Sequence, residues 1–99
     1  MSETKKTEKT NAPEIIIFYS PTCPYCHRAL EFLGEHLPDI SAELIEVGGD
    51  PENHRRFLTA LETFGLESRG IPLIIVGNKV FQGFDIETGE KIITAVKKK

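Results

Sequence analysis

Ninety-nine residues, 39% of them hydrophobic, suffice for one modest core and leave no surplus for a second. Twelve basic against fifteen acidic residues give a formal net charge of -3, which argues against the broad positive surface of a general nucleic-acid or acidic-membrane binder. No apolar run nears the roughly 20 residues that span a bilayer, so the chain is expected to be soluble.

The opening "MSETKKTEKTNAPE" is rich in lysine and threonine and has no apolar centre. It reads as neither a signal peptide nor core. Residues 1–13 are expected to form a disordered polar tail ahead of one domain over residues 14–99. Without a secretion signal the expected compartment is the cytoplasm, where ordinary thiols stay reduced and a permanent structural disulfide is not expected.

Ile15, Ile16, Ile17, Phe18 and Tyr19 form a continuous apolar run dominated by β-branched residues, which predicts a first strand buried on both faces. After "SPTCP", residues Cys26, Ala29, Leu30, Leu33 and Leu37 recur at helical spacing until Pro38 stops the pattern. The segment "SAELIEV" is expected to be a second strand, ended by Gly48 and Gly49. A second helix follows: Asp50 is its N-cap, Pro51 its first residue, Phe57, Leu58 and Leu61 its apolar face and Gly65 its stop.

"IPLIIV", the turn "GNK" and "VFQG" predict a β-hairpin, because Gly77 and Asn78 tolerate the positive φ of a tight turn. The last segment, "DIETGEKIITAVKKK", carries Ile86, Ile92, Ile93 and Val96 at helical spacing. Asp85 is its candidate cap, and the terminal lysines suit the negative end of the helix dipole. The order is βαβαββα. A helical crossover makes the first two strands parallel, and the tight turn makes the last two antiparallel. The expectation is an α/β domain with one mixed, four-stranded sheet flanked by helices.

The chain's only two cysteines, Cys23 and Cys26, stand in "CPYC" at the start of the first helix. The thiolate is the nucleophile, and unpaired N–H groups and the dipole at a helix start favour negative charge there. Pro24 fits the first helical position, where a missing N–H is no loss. Cys26 lies within reach of a mixed disulfide on Cys23, and its apolar-face position predicts burial. Cys23 is therefore the attacking thiol and Cys26 the resolving one.

A zinc site asks for more ligands than one cysteine pair, and His27, His36 and His54 are scattered rather than paired at ligand spacing. The plainest alternative is two small residues that happen to fall near a helix start. His27 and Arg28 are read as solvated helix residues, while Tyr25, between the cysteines, is an exposed aromatic that could meet a substrate. Glu31, Glu35, Glu43 and Glu46 read as a solvated acidic face, and Arg55 and Arg56 as water-facing positions of an amphipathic helix.

Pro72 sits where a buried strand would want an N–H, so it marks a strand start or a special backbone feature. Together with "CPYC" and the element order, "SRGIPLIIVGNKVFQGFD" resembles the second half of a glutaredoxin, and the likeness covers about residues 14 to 97. The resemblance implies a thioredoxin fold with Pro72 cis beside the cysteines. It implies that the backbone of Ile71 pairs with substrate, that Cys23 forms the mixed disulfide, and that Cys26 resolves it. The turn Gly83, Phe84 and Asp85 would help hold glutathione, with the acid near its amino group. The chain departs from the family's pattern at Ser20, where a basic residue commonly stands, at Gln82, the first of the usual paired glycines, and at Gly70, often a threonine. Arg69 keeps a positive charge near the last.

Three functions are consistent with these residues. The leading one is a monomeric dithiol oxidoreductase that reduces protein or glutathione-mixed disulfides, with no bound cofactor, no metal, and glutathione as reductant. The second is a redoxin regenerated by thioredoxin reductase for one client, such as ribonucleotide reductase. The third is a carrier that holds an iron–sulfur cluster through Cys23 and glutathione across a dimer, against which Cys26 competes by closing a disulfide.

Overall fold

Strand β1 (Ile15–Tyr19) is the member of the sheet to which the rest is referred. In the computed structural model, which describes residues 14–97, its alternate side chains enter two different cores. Ile15 and Ile17 point to one face, and Phe18 and the partly buried Ile16 to the other. That is why its sequence is apolar throughout. The expected tail, residues 1–13, and Lys98 and Lys99 lie outside the described residues.

The other elements follow the expected order: α1 (Pro24–His36), β2 (Ala42–Glu46), α2 (Pro51–Thr63), β3 (Leu73–Val76), β4 (Lys79–Gln82) and α3 (Ile86–Lys97). The sheet runs β2-β1-β3-β4. β1 and β2 are parallel, with Ile17 opposite Leu44, and β3 and β4 antiparallel, with Leu73 opposite Gln82. Between these two pairs lies the antiparallel contact of β1 with β3, which sets Phe18 against Leu73. A mixed four-stranded sheet with three helices in this topology is the thioredoxin fold.

Helices α1 and α3 cover one face, burying Ala29, Leu33, Ile92 and Ala95 against Ile15, Ile17, Ile74 and Val76. Helix α2 covers the other, with Phe57 and Leu61 against Phe18, Ile45 and Leu73. Each fully buried aliphatic side chain contributes about 1.5–3 kcal/mol. α1 and α3 approach closely because Gly89 has no side chain: a Cβ there would lie 2.7 Å from the Phe32 ring. α2 starts as expected, with the Asn53 N–H donating to Asp50 Oδ1 at 2.8 Å.

The four glutamates read as one acidic face divide between elements. Glu31 and Glu35 are exposed on α1, whereas Glu43 on β2 accepts two bonds from Arg56 on α2, at 2.8 and 3.2 Å. That guanidinium holds the Glu43 carboxyl below its usual range. Arg56 is accordingly a strut between helix and sheet edge, which helical periodicity alone does not reveal. No helix among the described residues is long and apolar enough to cross a membrane.

Candidate active site

The pairing of Phe18 with Leu73 makes two loops emerge side by side: the turn that leaves β1 and the segment that enters β3. The first is held by its own residues. The Thr22 N–H donates to Ser20 Oγ at 3.3 Å, the two hydroxyls stand 3.1 Å apart, and the Cys23 N–H donates to the Ser20 carbonyl at 3.1 Å. Ser20, where the family commonly carries a cation, here shapes the turn.

That turn delivers Cys23 in extended conformation as the N-cap of α1, where its Sγ accepts the Cys26 N–H at 3.3 Å. Pro24, next in the chain, has no N–H to leave unpaired. The half-buried sulfur therefore faces the amide end of the helix. Cys26, one turn on, is 0% exposed. Burial, and then the adjoining Cys23 sulfur, pushes its thiol up from 9.0 to about 11. Both cysteines are free thiols. An accessible sulfur thus lies above a buried, protonated one.

From the second loop come Ile71 and Pro72, joined by a cis peptide bond. Pro72 is fully buried, and the Ile71 carbonyl accepts from Cys23 Sγ at 3.9 Å. The Pro72 carbonyl accepts the Gly83 N–H at 2.9 Å, which ties this loop to the turn after β4. Gly83 has φ +86, a left-handed conformation that glycine adopts without strain. The chain then runs to Phe84, whose ring packs edge-on against Phe32 at 5.5 Å. Exposed Asp85 accepts the Thr88 N–H at 2.7 Å. That bond, and then the Thr88 hydroxyl, holds its carboxyl below the usual range.

Of the residues singled out in the sequence, Cys23 meets Cys26 and Ile71 directly, Pro72 follows Ile71 through the cis bond, and Phe84 and Asp85 follow Gly83, which bonds to Pro72. Tyr25 is 54% exposed, with the Arg28 guanidinium 5.7 Å from its ring centre, and is linked to the others only along the chain. His27 is exposed as expected, yet it is not simply solvated. Its Nε2 lies 2.6 Å from the Pro21 carbonyl, and since a carbonyl only accepts, that nitrogen carries the hydrogen. Sequence reading also passed over Phe32 and the side-chain contacts of Gln82. A groove of about 730 Å³ between β4 and α3, lined by Lys79, Phe81 and Lys91 among others, touches neither cysteine.

The glutaredoxin family model matches residues 15–81. This chain belongs to the glutaredoxin family. It is accordingly a thiol–disulfide oxidoreductase. The turn from Gln82 to Asp85 lies just past the matched span. Among solved structures, this glutaredoxin is similar to the glutaredoxin of Archaeoglobus fulgidus, with 22% identity over 93% of this chain and 98% of that one and a TM-score of 0.68. A buckwheat glutaredoxin–glutathione complex matches at 17% identity over 89% and 80% of the two chains, with a TM-score of 0.67. The Brucella melitensis glutaredoxin matches at 26% identity over 86% and 89%, with a TM-score of 0.57. No curated protein sequence matches.

Proposed function

We propose that this glutaredoxin reduces protein disulfides and glutathione-mixed disulfides by a dithiol cycle. Cys23 attacks as thiolate, its sulfur bonds to one sulfur of the substrate disulfide, and the other sulfur leaves and takes up a proton. Cys26 then loses its proton and attacks Cys23, which closes the Cys23–Cys26 disulfide and releases the second substrate thiol. Two glutathione thiols return the two electrons, leaving glutathione disulfide.

The observation that carries this reading is the stacking of the two sulfurs: Cys23 is accessible at a helix start, Cys26 is 0% exposed one turn on, and the Cys26 N–H points at Cys23 Sγ from 3.3 Å. Ile71 supplies the remaining geometry. Its carbonyl, 3.9 Å from Cys23 Sγ, borders the position that a substrate disulfide must occupy, so main-chain pairing there would align the sulfurs. Glutathione is favoured as reductant by the buckwheat complex and by a turn at Gly83–Asp85 that presents an exposed carboxylate for an amino group. Localisation in the cytoplasm, monomeric state and the absence of a bound cofactor belong to this same proposal.

The test mixes the Cys26→Ser form with glutathione disulfide and follows intact mass. The expected result is one glutathione adduct, on Cys23, formed fast and not resolved. No adduct, while thioredoxin reductase and NADPH reduce the parent's disulfide, would transfer the electron supply to that enzyme.

A further inference from the structure

Two of the positions at which this chain departs from its family's pattern touch each other. Gln82 ends β4 opposite Leu73, so its side chain shares the face on which Leu73 is buried and over which the α2–β3 loop passes. Its Nε2 donates to the Ser68 carbonyl at 2.8 Å and to the Gly70 carbonyl at 3.1 Å. Those two bonds use both hydrogens of the amide, and they bracket Arg69. Gly70 lies directly beneath: a Cβ there would sit 3.6 Å from Gln82 Cγ and 3.8 Å from Cδ. The open side of Gly70 is thus filled by the Gln82 stem.

We infer that Gln82 is a positioning residue for substrate binding, paired with Gly70, which fixes the loop carrying Ile71 from the far side of β3. The neighbouring bonds give the reason. Pro72 has no N–H, and its carbonyl is tied to the turn after β4 by the Gly83 N–H. Upstream of Ile71, the Leu66 N–H donates to the Leu61 carbonyl at 2.8 Å where the loop leaves α2, and nearer Ile71 the ties are the Gly70 N–H to its own Ser68 hydroxyl, at 3.2 Å, and the two from Gln82. A glycine at position 82 would leave the Ser68 and Gly70 carbonyls to water and the loop free to wander before substrate arrives. Ordering that loop on binding costs affinity, so its prior ordering by Gln82 strengthens substrate binding without touching the reacting sulfurs.

This inference rests on the reading in which substrate pairs with Ile71, and its test carries one readout that does not. Gln82→Met keeps the length of the side chain and removes both donors. With a glutathionylated peptide, KM is expected to rise roughly three- to tenfold with kcat unchanged, the effect of losing about one to two net hydrogen bonds. Amide-nitrogen relaxation by NMR is expected to show larger backbone motion at residues 68–71 while β1 and α1 stay as rigid as before. Unchanged backbone motion at residues 68–71 in Gln82→Met overturns the inference, as does an unchanged KM. A parent that fails to turn over the peptide would count instead against the proposed function, with the relaxation result still deciding the role of Gln82.

Discussion

The starts of α1 and α3 are one device built from different atoms. In each, a capping side chain accepts the backbone N–H three residues on: Cys23 Sγ from Cys26 at 3.3 Å, and Asp85 Oδ1 from Thr88 at 2.7 Å. The carboxylate is a strong acceptor, so its cap is short and its carboxyl stays ionised below the ordinary range. Sulfur is large and accepts weakly, so its cap is long and readily given up. A helix start can therefore hold or react, and the loosely held acceptor is the one free to bond to a substrate's sulfur.

The comparison breaks most completely if the reactive cap is given the other's atom. Cys23→Asp is expected to bring disulfide exchange to background, measured with a glutathionylated peptide. The same variant should be more stable than Cys23→Ala by about 1 kcal/mol in urea unfolding, the ordinary worth of a good cap. A Cys23→Asp protein no more stable than Cys23→Ala would mean that position 23 is not a working cap.

Next in size is the pH dependence of the resolving step at Cys26. Burial, the larger cause of the raised Cys26 pKa, persists when Cys23 is in a mixed disulfide. The resolving step, followed by stopped-flow release of glutathione, should then quicken roughly tenfold per pH unit while the Cys26 thiol stays mostly protonated. The sign for stability is opposite. A folded pKa of about 11 against 9.0 means that the buried neutral thiol's contribution is complete below pH 9.0 and is lost as pH rises through about 11. Cys26→Ala should lose that alkaline decline.

Gly89→Ala tests what joins the two helix starts, because its Cβ would strike Phe32, which supports Phe84 in the turn before Asp85. A loss of about 1–3 kcal/mol is expected in urea unfolding, as for overpacked cores. Phe32→Leu in the same chain should recover part of it. The smallest effect belongs to the holding cap itself. Asp85→Ala should lower Tm at neutral pH, and Asp85→Asn less, since an amide oxygen still accepts. The Asp85 pKa is depressed, so this contribution is present above the ordinary carboxylate pKa and is lost as pH falls through the lowered value. A difference between parent and Asp85→Ala that persists unchanged in strong acid would show that the charge is not what caps α3.

Much of this was legible in the sequence wherever cause and effect are close along the chain. The β-branched run Ile15–Tyr19, Pro24 and Pro51 at helix starts, Asp50 three residues before Asn53, and the Gly77–Asn78 turn each act on their own element, and the elements fall as expected. Burial of Cys26 followed from helical spacing. What stayed hidden depends on chain segments that only the fold brings together. Nothing near Arg56 announces Glu43, and nothing near Gln82 announces the carbonyls of Ser68 and Gly70. His27 reaches six residues back to Pro21, a separation no helical or strand period connects. The proline loop became readable through family likeness rather than through any period of its own.

Cys23 and Ile71 stand 48 positions apart, and only the alignment of Phe18 with Leu73 brings them to 3.9 Å. A slip of one residue in that central pair would turn its side chains to the opposite faces and carry the loop about 3.3 Å past the sulfur. Turnover in this protein therefore reports strand alignment at the middle of the sheet as well as the state of the two thiols.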